Sequence, residues 1–178
     1  MKAPVWIWMD MEMSGLNPQE NVILELAVLA TDAQLNILSE GLELCIHQPQ
    51  VELDRMDTWC TEHHTQSGLI QRVQESQISL AHAEKSLLDW IAEQCPPRQA
   101  PLCGNSIHQD RKFLAQYMPN LEAYLHYRIL DVSSIKIVAQ QWYPNLRPPA
   151  KKASHRALDD IRESIEELRF YKENIFTK

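Results

Sequence analysis

The chain has 178 residues, 44% hydrophobic and 23% charged, enough for one domain, residues 1–178, with a substantial core. Its formal charge of -7 argues against a protein that grips a long nucleic acid through many phosphate contacts, so a nucleic-acid substrate is expected to be short. The apolar run before Asp10 is too short for a signal peptide or a membrane span, and Cys45, Cys60, Cys95 and Cys103 lack zinc-finger spacing, so a cytoplasmic protein with reduced thiols and no membrane partner is expected.

Val5 to Glu12 opens the chain with Val5, Ile7 and Met9 alternating with Trp6 and Trp8, the pattern of a strand apolar on both faces and buried mid-sheet. Asp10 and Glu12 end it on one side, about 6.6 Å apart along the backbone at about 3.3 Å per residue. Ser14-Gly15-Leu16-Asn17-Pro18 is turn chemistry. Val22 to Thr31 and Ile37 to Ile46 then read as strands separated by a hairpin-length loop, completing a three-strand antiparallel meander. Glu52 to Glu75 is expected as short helices and loops. Leu80 to Cys95 repeats apolar residues at helical spacing up to Pro96-Pro97.

From Ala100 the rhythm is strand then helix. Ala100 to Gly104 is a brief strand, Asn105-Ser106 a candidate cap, and Ile107 to Met118 a helix that carries Asp110 on the apolar side of Ile107, Leu114 and Met118. Arg128 to Val132 reads as a strand, Ser133 to Trp142 as a helix, and Asn145 to Ala153 as a proline-rich basic loop with Arg147, Lys151 and Lys152. The last helix, from about Arg156 to Tyr171, buries Leu158, Ile161, Ile165 and Leu168. That phase turns Asp160 inward with Ala157 and Ser164, and leaves Asp159 with Arg162, Glu163 and Glu166 on the solvated face. His155 falls at or just before the helix start.

Separate segments thus direct Asp10, Glu12, Asp110 and Asp160 toward the interior. Carboxylates brought together raise one another's pKa, and a divalent cation removes the conflict. Oxygen-only ligation selects hard cations, Mg2+ or Mn2+, and two ions roughly 3.5–4 Å apart prepare a water and stabilise charge on a phosphate. A histidine, with a reference pKa of about 6.5, suits the water's proton near neutrality. His155 is the candidate base. Cys60 with His63 and His64 lacks further nearby ligands and is not read as a metal cluster.

Asp10-x-Glu12, Asp110 and His155-x-x-x-x-Asp160 resemble the DEDDh class of 3′-to-5′ exonucleases, which implies a ribonuclease H-like α/β fold: a mixed five-stranded sheet, antiparallel meander plus parallel strands, flanked by helices. Trp8 to Leu16, His64-Thr65-x-Ser67-Gly68-Leu69, Gly104-Asn105-Ser106-Ile107-x-Gln109-Asp110, His126-Tyr127-Arg128-x-Leu130-Asp131-Val132-Ser133 and His155 to Ser164 are together similar to the oligoribonuclease family over essentially the whole chain. The resemblance implies a homodimeric exoribonuclease that carries two Mg2+ or Mn2+ ions per site. Its substrates would be short RNAs, chiefly dinucleotides, cut to nucleoside 5′-monophosphates in the last step of RNA decay. It also implies that Leu16 wedges between bases, Trp59 and His64 line base and sugar, Ser106, Arg128 and Ser133 hold the 5′ phosphate, and Tyr127 acts across the dimer.

Structural readings stand beside these: Leu16 as a turn hydrophobe, Trp59 as a core residue, Arg128 as a surface ion-pair former. His108 stands where many bacterial relatives have glycine and reads as a helix-surface residue, with a second proton carrier as the other reading. The Ala150 to His155 approach is closer to mitochondrial relatives, while the lack of their transit segment favours a bacterial enzyme. The rivals are a polymerase proofreading subunit, opposed by the His126 to Ser133 run, and a non-catalytic module, opposed by the intact acids.

Overall fold

The computed structural model describes residues 4–149 and 156–176. β1 (Val5–Met13) runs through the middle of a five-stranded sheet of order β3-β2-β1-β4-β5. β2 (Ile23–Asp32) pairs with it antiparallel, β3 (Leu42–Cys45) pairs antiparallel with β2, and β4 (Leu102–Gly104) and β5 (Ile129–Asp131) add parallel strands on the other edge. This is the mixed sheet expected from the sequence, with helices on both faces.

Alternation along β1 divides the core. Ile7, Met9 and Met11 pack with Ala83, Leu87 and Ile91 of α4 (Leu80–Gln94), Phe113 and Leu114 of α5 (His108–Tyr117) and Leu121 of α6 (Pro119–Tyr124). Trp8 faces the opposite way, against Val132 and Ala139 of α7 (Val132–Trp142) and Ile161, Ile165 and Leu168 of α8 (Ala157–Asn174). Its indole Nε1–H, fully buried, donates to Thr31 Oγ1 at 2.9 Å, so the ring is enclosed without an unmet donor. Asp10 and Glu12 share the parity of Trp8 and emerge on the α8 side. Between β3 and α4, the short helices α1 (Gln50–Leu53), α2 (Thr58–Gln66) and α3 (Leu69–Glu75) close over Leu24 of β2 through Leu53, Met56, Cys60, Leu69 and Val73.

The third strand is shorter than its apolar run predicts. Ile37 makes only an isolated bridge to Thr31, and regular pairing begins at Leu42. Just before that pairing α8 comes close to the chain: a Cβ on Gly41 would meet Leu158 Cδ1 at 2.6 Å and the Val28 carbonyl oxygen at 2.8 Å. Glu43 on β3 then accepts the Leu158 N–H at 3.2 Å, an acidic side chain supplied by the sheet to a helix start that has no side-chain cap of its own.

The expected Asn105-Ser106 cap is also replaced. Ile107 is the residue before α5 and no side chain caps the helix. Asn105 is instead drawn into contact with α8, its Nδ2 donating to Ser164 Oγ at 2.7 Å, and Ser106 adopts a left-handed backbone at φ 52°. Helix α6, which begins at Pro119, was not apparent from the spacing. Glu163, expected on the solvated face of α8, is half-buried. Among the described residues no helix is long and apolar enough to cross a membrane. His155, Lys151 and Lys152 lie outside the described residues.

Candidate active site

The end of β1 and the first turn of α8 bring oxygens of Asp10, Glu12 and Asp160 within 4.8 Å of one another. Asp160 reaches them because Ala157, Ile161, Ser164 and Ile165 are buried against the sheet, which fixes the rotation of α8; Asp159, at the preceding position, pairs outward with Arg162 at 3.3 Å. Asp110, in the first turn of α5, is only 6% exposed and accepts the backbone N–H of Met11, the residue between the two β1 acids.

The electrostatics are those of a crowded acidic site. Burial, then the charges of Asp10, Asp160 and Glu25, push Glu12 up to about 8, while Arg72 pulls it down. Burial and the neighbouring Asp10 likewise raise Asp110 well above the usual carboxylate range, against the pull of the backbone N–H groups of Asp110 and Met11. Donors that are all carboxylate oxygens, held close enough to disfavour one another's ionised forms, fit a hard divalent cation, which would restore the charged state of each. Asp10, Glu12 and Asp160 are the one group of three or more candidate ligands this close among the described residues.

Three large side chains that the sequence reading singled out stand in solvent. Leu16 is 67% exposed, Trp59 66% and Tyr127 73%, so neither Leu16 nor Trp59 is a core residue. Trp59 is stacked on His63 of the next turn of α2, ring centroids 4.7 Å apart at 11°, which presents a ready flat surface. His64 differs, being 2% exposed. Its Nε2 lies 2.9 Å from the Met13 carbonyl, which can only accept, so Nε2 carries the proton and Nδ1 is an acceptor. Nδ1 stands 4.0 Å from Glu12 Oε2 and has no hydrogen-bond partner among the described residues; burial lowers the pKa of the ring.

Ser106 and Ser133, distant in sequence, form one cluster. Ser106 N–H donates to Ser133 Oγ and Asp131 Oδ1, both at 3.0 Å, and the two hydroxyls are 3.2 Å apart. Ser133 Oγ in turn donates to Asn105 Oδ1 at 3.0 Å. These bonds hold Ser106 in a backbone conformation that serine rarely adopts. Asp131 is the N-cap of α7, accepting from Ser133 N–H at 2.9 Å, and its other oxygen lies 3.4 Å from Nδ1 of the exposed His108. Arg128 is exposed, with its guanidinium 5.4 Å from the centre of the Tyr127 ring.

Glu25 and Glu167 escaped the sequence reading, and Ser164, placed inward by the helix phase, was given no role there. Glu25 is an acid within an otherwise apolar strand, fully buried and ion-paired to Arg72 of α3. An acid breaking an apolar run was the available signal. Ser164 donates to the Asp160 carbonyl at 2.9 Å while accepting from Asn105, so it ties the acid cluster to the serine cluster. Glu167, almost fully buried, accepts from Tyr171, Asn105 and Lys136 beneath both.

A family model described as exonuclease matches residues 7–168. The oligoribonuclease of Marinobacter nauticus is 54% identical over 171 residues, covering 96% of this chain and 95% of that protein. The oligoribonuclease of Vibrio cholerae is 52% identical over 171 residues and 94% of its length. The human mitochondrial oligoribonuclease is 52% identical over 174 residues, 97% of this chain and 73% of its own. Among solved structures, exonuclease I from Methylocaldum szegediense superposes with a TM-score of 0.70 at 18% identity over 98% of this chain. Exonuclease I of E. coli bound to a dT13 oligonucleotide gives 0.71 at 13% identity over 97%. The chain spans 42% of each of those two longer exonucleases, and the likeness to them is one of fold. With an acidic cluster suited to a divalent cation, this chain is a nuclease, a hydrolase that belongs to the exonuclease family and within it to the oligoribonucleases.

Proposed function

We propose that the chain, acting as one exonuclease unit over residues 1–178, is a 3′-to-5′ exoribonuclease that converts short oligoribonucleotides, chiefly dinucleotides, to nucleoside 5′-monophosphates with Mg2+ or Mn2+. The observation that carries this is the convergence of Asp10, Glu12 and Asp160 oxygens within 4.8 Å, next to Asp110, in a chain more than half identical to oligoribonucleases. Two ions held by these four acids would supply an activated water and charge stabilisation on the phosphate and the departing 3′ oxygen.

The protein's own groups account for the rest. His155 takes the proton of the attacking water. The 3′ oxygen of the preceding nucleotide leaves, and the phosphate stays on the released residue as a 5′-monophosphate. Trp59, pre-stacked on His63, accepts a base, and Leu16 inserts between bases. His64 Nδ1 is a buried acceptor beside Glu12, matched to a ribose hydroxyl that can donate to it. The Ser106 and Ser133 hydroxyls with Arg128 hold the 5′ phosphate, which closes the site after a short chain. That agrees with a net charge of -7, too negative for many phosphate contacts.

The active form is a homodimer in which Tyr127 serves the site of a second copy. The support is an apolar surface on α7 and residues 175–176: Trp142, 74% exposed, and the exposed Phe176 line a cavity of about 550 Å3 together with Ile135, Val138, Tyr143 and Ile175. Sedimentation showing an active monomer would remove the dimer from this reading.

The test is turnover of di-, tri- and heptaribonucleotides under one metal condition. The dinucleotide should be fastest and a chelator should stop the reaction. Asp160→Ala should lower turnover by more than about 100-fold, beyond the cost of losing outer-shell partners, while Asp159→Ala retains most of it. Equal loss from both variants, or a dinucleotide left intact, overturns the proposal.

A further inference from the structure

Arg111 follows Asp110 on α5, and its guanidinium leaves the acid cluster for the loop that carries Tyr127. Nη1 donates to two successive backbone carbonyls, His126 at 2.9 Å and Tyr127 at 3.2 Å. Nε and Nη2 are taken up by a single oxygen of Glu122 on α6, at 3.1 and 2.7 Å. One side chain therefore braces the end of α6 and the entry to β5 against α5.

Leu125, buried in the core, anchors the start of the loop, and the residues beyond it have few other restraints. Between α6 and β5, residues 125–128 form no regular element. His126 N–H reaches the Ala100 carbonyl at 2.9 Å and Arg128 N–H reaches His126 Nδ1 at 3.0 Å. The Tyr127 ring itself is contacted by the His126 ring, 4.5 Å away, and by the Arg128 guanidinium, yet is 73% exposed. Its direction is therefore set by the backbone beneath it, and Arg111 holds the carbonyls on both sides of the Tyr127 Cα. A rigid guanidinium anchored on Glu122 through Nε and Nη2, with Nη1 on both carbonyls, fixes the two peptide planes that flank the Tyr127 Cα, which a flexible ammonium does less well.

From these contacts we propose that Arg111 is a positioning residue for Tyr127, coupling the helix that bears Asp110 to the side chain offered to a second subunit. The inference rests on the reading of Tyr127 given above. A small rotation of the peptide planes flanking Tyr127 is amplified at the phenol, and a misplacement of about 1 Å at a reacting group costs about 100-fold in rate. Glu122 contributes by keeping the fork oriented, and Arg111 itself touches neither substrate nor metal.

The experiment uses the full-length protein with Mn2+ and a 5′-phosphorylated diribonucleotide, and compares Arg111→Met, Arg111→Lys, Tyr127→Ala and Arg111→Met combined with Tyr127→Ala. Arg111→Met should lower kcat by about 10- to 100-fold with KM changed less than kcat, and Arg111→Lys should recover part of the loss. Mn2+ affinity by calorimetry and the sedimentation coefficient should match the parent. The combined variant should be no slower than Tyr127→Ala alone, because the group that Arg111 positions is already absent. Parent-like kcat in Arg111→Met overturns the proposal, as do losses that multiply with Tyr127→Ala, or a parallel loss of Mn2+ binding or of the dimer. If Arg111→Met fails to fold, a parent-like Glu122→Gln combined with a parent-like Arg111→Lys overturns it. A Tyr127→Ala protein with full activity refutes the reading of Tyr127 and this inference with it, a result distinct from one in which Tyr127 matters and Arg111 does not.

Discussion

Glu12 lies directly opposite Glu25 in the β1–β2 ladder, so a fully buried acid faces the same side of the sheet as the acid cluster. Like charges opposite one another on a sheet destabilise it. Arg72, reaching in from α3, offers both its terminal nitrogens to the Glu25 carboxylate. It also opposes the rise in the pKa of Glu12 that its neighbours cause. The helices between β3 and α4 thereby complete the electrostatics of a site to which they give no acid of the cluster.

Removing only the cation should expose the cost of that arrangement. Arg72→Met leaves Glu25 buried and uncompensated and should lower stability in urea by about 3–5 kcal/mol. Adding Glu25→Gln should return much of the loss, since the stranded charge is then gone. A single variant as stable as the parent would contradict the role of Arg72 as the partner of a buried charge.

Metal and pH should be linked through the same acids. The folded, metal-free protein holds a proton on Glu12 up to about pH 8, whereas the unfolded chain releases it near the ordinary value of 4.5. The unfolded state thus binds fewer protons between these limits, so metal-free stability falls as pH rises through this window and levels off above it. Asp110, also raised, acts in the same direction. Melting temperatures in chelator should drop from pH 5 to pH 8, and added Mn2+ should raise them more at pH 8 than at pH 5. A flat chelator profile would contradict the proximity of the acids.

The approach of α8 to the sheet predicts a stability and activity phenotype at a residue that is not itself an acid of the cluster. A methyl at Gly41 would press on Leu158 Cδ1 and on the Val28 carbonyl, and backbone cannot yield as a side-chain tip can. Gly41→Ala should cost about 1–3 kcal/mol and should also slow turnover, because Asp160 lies two residues beyond Leu158. Leu158→Ala in the same chain should relieve part of both. Stability lost with turnover intact would show that the start of α8 can shift without moving Asp160.

Loss of the serine cluster should be felt at one end of the substrate only. Ser133→Ala deletes the hydroxyl that links Asn105 to Ser106, and Arg128→Ala deletes a cation. A hydrogen bond to a charged group is worth about 1.5–3 kcal/mol, so each should weaken binding of a 5′-phosphorylated dinucleotide by roughly 10- to 100-fold. The same dinucleotide with a 5′ hydroxyl should be nearly unaffected. Equal weakening of both substrates would remove the cluster from 5′-phosphate recognition.

Local pattern by itself determined β1, the rotation of α8 and the inward direction of Asp10, Glu12, Asp110 and Asp160. Alternation and helical phase act over a few residues, and burial of Trp8, Ile161 and Ile165 enforces them. Only the tertiary structure decided what these acids meet. Glu25 with Arg72, Asn105 with Ser164 and Ser133, Arg111 with the Tyr127 loop, and His64 under Glu12 join segments far apart in the chain, and no short-range period records such a pairing. Asn105 shows the limit most plainly. Its sequence context is that of a helix cap, and the hydroxyl of Ser164 outcompetes that role because packing α8 on the sheet brings a buried partner to an amide that must be satisfied.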